Sequence, residues 1–270
     1  MKIAFIGGGN MASALIAGLA GQLTAGANIH VVDPNADALA KLAHQYGVST
    51  APAIDALVGA SDVIVLSVKP QQMRDVAAAL QPQLAGQLII SIAAGIRGAD
   101  LARWLGGYRA IVRCMPNTPA LIAMGITGLV AMDGVSAAQK DSANDILKAV
   151  GKTVWLDDEA QIDPVTAVSG SGPAYVFYFI EAMQQAAEEL GLSAEQGRQL
   201  ALATFTGAAQ LAAQSADPVP LLRERVTSKG GTTYAALTSM EQSGVKEKIV
   251  TAIKAAAARG RELGDELGAD

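Results

Sequence analysis

The apolar run Ile3-Ala4-Phe5-Ile6 stops at Gly7-Gly8-Gly9, and a helical pattern begins at Asn10. A strand delivered by a glycine turn straight into a helix opens a βαβ unit. That unit belongs in a parallel sheet covered by helices. The spacing Gly7-x-Gly9-x-x-Ala12 adds chemistry to this geometry. Gly7 permits the tight turn, Gly9 lets a bound group reach the backbone, and Ala12 is small enough for close helix–strand packing. Free N–H groups and the positive dipole end of the helix suit a pyrophosphate. Ile6, Gly7, Gly8, Gly9, Asn10 and Met11 are therefore the expected phosphate-binding residues of an NAD(H) or NADP(H) site. A plain structural glycine turn in another α/β fold is the alternative.

The rest of the first half repeats the same grammar. Ile29–Asp33, Val63–Val68, Leu88–Ile92 and Ile111–Met115 read as buried strands, being short runs of Val and Ile flanked by turn signals. Helical segments are expected near 10–22, 35–46, 70–80 and 98–105. A further strand near 125–131, a helix near 136–150 and a strand near 152–156 extend the sheet. Past residue 160 the strand signal ends, and helical periods fill 174–190, 194–214, 232–242 and 245–267. Gly191 suits the end of the first of these helices. Ser193 suits the cap of the next, with Gln196 at the capping-box position. The expected fold is α/β, with an N-terminal Rossmann-type dinucleotide-binding domain over 1–160 and an all-helical domain over 161–270.

Composition narrows the chemistry. Apolar residues make up 51% and charged residues 17% of the chain, so it packs a core and does so with few charges. A net charge of −5 excludes nucleic acid as an expected partner, because phosphates need a basic face. The uncharged stretches 164–180 and 199–216 are too interrupted by polar residues and glycines for a membrane span. With Met1 running directly into a strand, no signal peptide is expected and the cytoplasm is the expected compartment. Cys114 is the single cysteine, and His30 and His44 are the only histidines. Both histidines read as ordinary surface or edge residues, so no metal site and no histidine acid–base chemistry is expected.

Other cofactor contacts are expected where strands end, since ligands of an open parallel sheet bind outside the carboxyl ends of its strands. Asp33 stands at the end of the second strand, where an acid accepts from the adenosine ribose and repels a 2′-phosphate. That reasoning leans toward NADH; the competing reading makes Asp33 a cap for the helix after Pro34. Ser67-Val68-Lys69-Pro70 and Ala93-Ala94-Gly95 end two more strands. Lys69 either reaches a phosphate or is a solvated turn lysine. Asn117 either orients a nicotinamide carboxamide or caps a turn between Pro116 and Pro119.

Four segments taken in order carry a resemblance. They are the Ser67–Pro70 turn, Cys114-Met115-Pro116-Asn117-Thr118-Pro119, Ser169-Gly170-Ser171-Gly172-Pro173-Ala174, and Val226-Thr227-Ser228-Lys229-Gly230-Gly231-Thr232-Thr233. With the glycine turn they closely resemble the Δ1-pyrroline-5-carboxylate reductases of proline biosynthesis, from residue 1 to about 265. The resemblance implies a Rossmann domain, a helical domain that interlocks with a partner's, and homodimers that often assemble into homodecamers. It places the substrate carboxylate on the amides around Gly230–Thr233. Ser228, Gly230, Gly231, Thr232 and Thr233 are then the expected substrate-binding residues, with Thr233 hydrogen-bonded to the ring nitrogen as the catalytic residue. Consecutive free N–H groups at a helix start are chemically suited to a carboxylate. Two positions depart from the family pattern. Lys229 stands where proline is usual, and Ile54 where relatives often have asparagine near the adenosine.

The implied reaction is reduction of 1-pyrroline-5-carboxylate to L-proline by hydride transfer from NADH or NADPH. A protonated iminium is already electrophilic, so positioning can carry most of the catalysis. Alternatives are a reductase of another cyclic imine and a non-catalytic dinucleotide-binding relative. A β-hydroxyacid dehydrogenase would need a lysine on the first long helix after the domain boundary, and residues 160–197 contain no lysine or arginine. The helix around 199–214 has small and apolar residues nearly all round, which predicts burial against a second subunit.

Overall fold

A computed structural model of the chain describes residues 1–269. Its first half runs β1 (Ile3–Ile6), α1 (Asn10–Leu19), β2 (Ile29–Val32), α2 (Ala36–Tyr46) and β3 (Ser49–Ala51). It continues with α3 (Ala56–Gly59), β4 (Val63–Leu66), α4 (Met73–Leu80), β5 (Leu88–Ser91) and α5 (Gly98–Trp104). Then come β6 (Ile111–Met115), β7 (Gly125–Ala131), α6 (Ala137–Lys148), β8 (Gly151–Trp155) and α7 (Ile162–Val165). The strands form one eight-stranded sheet in the order β3-β2-β1-β4-β5-β6-β7-β8. All neighbours are parallel except β6 and β7.

The continuous apolar strands follow from burial on both faces. Along β1, Ile3 and Phe5 join a core with Leu15, Ile16 and Leu19 of α1. Ala4 and Ile6 face the opposite core, with Met73, Ala77 and Leu80 of α4. The strand order reverses between β1 and β4, and this reversal sets the crevice for a ligand at their carboxyl ends.

Two expectations about this half change. β3 is three residues long, too short for periodicity to reveal, yet it covers the outer side of β2. His30 on β2 is consequently buried at 5% exposure, not at the surface. Its Nδ1 lies 2.8 Å from Ser49 Oγ and its Nε2 3.2 Å from Asp55 Oδ1. His44 on α2 is exposed as expected. Three strands also stop earlier than their apolar runs, at Val32, Leu66 and Ser91, because Asp33, Ser67 and Ile92 begin the turns.

Contacts divide the chain into Met1–Ser171 with the residues from Ala255 onward, and Gly172–Lys254. The division falls beyond residue 160 because Ile162–Gly170 is wound onto the sheet: a Cβ on Gly128 of β7 would stand 2.8 Å from Val165. Thr166–Gly170 is a π-helical turn. The residues from Ala255 onward pack on the strand-end loop after β5. Gly95 there faces Leu263 and Leu267, and Arg97 donates to Arg261 O and Asp265 Oδ1.

The second unit is helical: α8 (Gly172–Glu189), α9 (Ala194–Gln214), α10 (Val219–Arg225), α11 (Thr232–Gln242) and the start of α12 (Val245–Gly268). Pro173 lies in the first turn of α8, where its missing N–H costs nothing. Gly191 follows α8 with φ +93, and Ser193 and Gln196 form the expected capping box on α9. Between α9 and α11, Pro218 caps the short α10. No helix among the described residues is long and apolar enough to cross a membrane.

Candidate active site

The carboxyl ends of β1, β2 and β4 open into a cleft of about 520 Å³. Gly7 and Ser67 close its floor. Gly7 holds φ +104, and a Cβ there would stand 2.6 Å from the carbonyl oxygen of Ser67. Ser67 N donates to Ile6 O at 2.8 Å, and its hydroxyl lies 2.8 Å from Gly7 O. The end of β4 thus pins the turn after β1, and only glycine fits so close. Gly9 is different. Its φ is −71, and a Cβ there would meet nothing within 4 Å. The space above Gly9 is what a pyrophosphate needs. α1 starts without a side-chain cap, so the first amides from Asn10 and Met11 onward face it unpaired. Ala12 is buried against the strands as expected.

Asp33 lines this cleft, and its carboxylate has two backbone partners. Oδ2 accepts from Gly8 N at 2.7 Å and Oδ1 from Asn35 N at 2.8 Å. It does not cap α2. Asn35 does so, accepting from Asp37 N and Ala38 N. The Gly8 amide, expected to bind phosphate, is therefore engaged by Asp33, which leaves the following amides for that task. Ser67, Val68 and exposed Lys69 line the same cleft, with Pro70 opening the turn that follows. Pro52, Ala53, Ile54, Gln72, Asp75 and Val76 are among its walls. Of these, sequence reasoning had flagged Ile54 alone. Pro52 and Ala53 follow the illegible β3, while Gln72 and Val76 are set by the packing of α4 on the sheet.

Ala93, Ala94 and Gly95 follow β5 on the same end of the sheet. Ala93 is buried, and Gly95 is covered by the C-terminal helix as described. Asn117 is committed inside the protein: Oδ1 accepts from Ile126 N at 2.9 Å, and Nδ2 donates to Ser169 O at 3.2 Å. Asn117 also starts the turn Thr118–Ile122, its carbonyl accepting from Ala120 N at 3.1 Å, while its side chain ties β7 to the π-helical turn.

In the helical unit, Ser228-Lys229-Gly230-Gly231 makes a tight turn, with Gly231 N donating to Ser228 O at 3.0 Å and Gly230 at φ +76. Gly231 is the N-cap of α11 and supplies no side-chain cap. The first amides of α11, at Thr232 and Thr233, have no intrahelical partner and suit a carboxylate. Thr233 is half-buried, while Ser228, Lys229 and Thr232 are exposed.

Elsewhere the ionisable groups are structural. Arg113 on β6 is 4% exposed and donates to Glu159 Oε1 at 2.5 Å; the same oxygen accepts from Gly98 N. Burial pushes the Cys114 thiol well above its ordinary range, so it is no nucleophile. Among the described residues no cluster of His, Cys, Asp and Glu could hold a metal ion.

Comparison with known proteins agrees with this geometry. Residues 2–95 match the family described as NADP oxidoreductase coenzyme F420-dependent, and residues 159–263 match that described as pyrroline-5-carboxylate reductase dimerisation. The chain is 51% identical to the pyrroline-5-carboxylate reductase of Pseudomonas aeruginosa, over 99% of this chain and 98% of that one. The solved structure of the Coxiella burnetii reductase superposes with a TM-score of 0.91 at 40% identity, covering 97% of this chain and 98% of that one. That of the Plasmodium falciparum enzyme, solved with NADP bound, gives 0.88 at 31% identity and covers 98% of both chains. The chain belongs to the pyrroline-5-carboxylate reductase family.

Proposed function

We infer that this protein reduces 1-pyrroline-5-carboxylate to L-proline, the last step of proline biosynthesis, at the expense of a reduced nicotinamide dinucleotide. The observation that carries this reading is full-length likeness to such reductases in a chain that builds both glycine turns. In this reading the sheet unit holds the cofactor, and the helical unit Gly172–Lys254 holds the substrate and a second subunit. When bound, the nicotinamide supplies a hydride to the C=N carbon of the protonated ring. The chain's task is to orient and shield.

The amides from Gly9 to Met11 receive the pyrophosphate and Asp33 the adenosine ribose. The strand-end segments Ser67–Pro70 and Ala93–Gly95 bound the nicotinamide half. The amides from Gly230 to Thr233 take the substrate carboxylate. Thr233 Oγ1 exchanges a hydrogen bond with the ring nitrogen, whose proton is already in place before hydride arrives. With no strong acid required, positioning accounts for most of the rate, up to about 7–11 kcal/mol. Removing the hydroxyl in Thr233→Ala should lower kcat/KM roughly tenfold or more, a loss of about 1.4 kcal/mol. Unchanged kcat and KM would remove Thr233 from the mechanism, and absence of NADH or NADPH oxidation with the pyrroline substrate would remove the function.

A homodimer in the cytoplasm is part of the same reading, with the homodecamer its larger assembly. Phe177 and Tyr178 on α8 are 65% and 71% exposed in the single chain, as is 60% of Leu211 on α9. So much aromatic and aliphatic surface is typical of an interface. A monomer in light scattering at micromolar concentration would refute the assembly.

A further inference from the structure

We propose that this chain selects NADH over NADPH and that Asp33 is the selecting residue; the proposal rests on the cofactor role given above to the β1–β2–β4 cleft. The two cofactors differ only in the 2′-substituent of the adenosine ribose. A 2′-hydroxyl can donate to a carboxylate, whereas a 2′-phosphate brings only acceptors and a charge of about −1.5 to −2.

The structure holds Asp33 in place to make that distinction. Its two oxygens accept from Gly8 N at 2.7 Å and Asn35 N at 2.8 Å. Swinging the carboxylate aside for a phosphate would strip both amides of their partner, a cost added to the repulsion itself. No described residue lining the cleft beside Asp33 compensates. Pro34, Pro52, Ala53 and Ile54 form the adjoining wall, and none carries a cation. Among the described residues that line the cleft, the other ionisable groups are a second acid, Asp75 of α4, and one cation, Lys69. Lys69 follows β4, whereas Asp33 follows β2, and β1 lies between those strands. Two strand spacings, about 10 Å, separate their ends. Lys69 therefore rises from the β4 side of the cleft, opposite the β2 side on which Asp33 stands. An unpaired repulsive group is how a site rejects the wrong ligand.

Calorimetric titration of the full chain with NADH and with NADPH tests this without turnover. Wild type should bind NADH at least roughly tenfold more tightly, a difference of about 1.4 kcal/mol. Asp33→Ser should bring the two dissociation constants within about threefold. Because Asp33 also holds two amides, Asp33→Asn serves as a second variant that keeps an acceptor and removes the charge; it should narrow the ratio likewise. Equal or tighter NADPH binding by wild type overturns the proposal, as does a ratio unmoved in folded Asp33→Asn. The same proteins assayed with 1-pyrroline-5-carboxylate separate the two readings. An NADH preference in binding without turnover would sink the proposed reaction and leave the selectivity standing.

Discussion

Two glycines in one turn should fail in opposite ways when each is given a methyl group. In Gly7→Ala the new Cβ meets the Ser67 carbonyl oxygen at 2.6 Å, on a backbone at φ +104. The unfavourable dihedral costs about 1–3 kcal/mol and the overpacking about as much again. The expected loss is therefore about 2–5 kcal/mol, or a fall in Tm on the order of 5–15 °C. In Gly9→Ala the Cβ enters open space on an ordinary backbone at φ −71. Lower unfolded-state entropy offsets the poorer N-cap, so Tm should move by no more than about 3 °C. That same Cβ stands where the pyrophosphate must pass, so NADH affinity should fall at least roughly tenfold. Thermal melts of the ligand-free variants and calorimetric titration with NADH measure both quantities. If Gly7→Ala is as stable as wild type, the pinning of the turn by Ser67 is wrongly described. If Gly9→Ala binds NADH normally, the phosphate does not lie on this turn.

The buried Arg113 makes Glu159→Ala costly, about 3 kcal/mol in urea melts, because the guanidinium loses its one acidic partner within 4 Å among the described residues. Arg113→Met with Glu159→Leu should recover most of that loss; a double variant as unstable as the single one would contradict the pairing. Burial raises the Tyr108 phenol above its ordinary value, and its hydroxyl donates to Gln87 O. A group with a raised folded pKa stabilises fully below the unfolded pKa and loses that contribution as pH rises through the folded value. Stability should accordingly decline above about pH 10. In ultraviolet titration Tyr108→Phe should remove a late-ionising phenol and weaken the decline. Cys114 should react with a thiol reagent only on unfolding; labelling of the native protein at the rate of a free thiol would contradict its burial.

The sequence was sufficient wherever a local pattern carries the physics. Alternating apolar strands and helices specify the parallel sheet, because burial on both faces demands unbroken apolar runs. The turn Gly7–Gly9 was legible because only glycine allows both a tight turn and a close ligand. Gly191, Ser193 and Gln196 marked the α8–α9 junction through backbone hydrogen bonds that need no distant partner.

Tertiary structure decided what depends on residues far apart in the chain. β3 exists because β2 offers it a ladder, not because Ser49-Thr50-Ala51 prefers extension, and its pairing is what buries His30. Asn117 was readable as a ligand or turn residue; that its side chain also ties β7 to the π-helical turn is decided by the tertiary structure. Asp33 was readable as an acid at a strand end. That it is clamped by Gly8 and Asn35, beside a wall without cations, appears only once β1, β2 and β4 share an edge. A side chain's type sets what it can bind, but its partners, contributed by distant strands, set what it is free to bind.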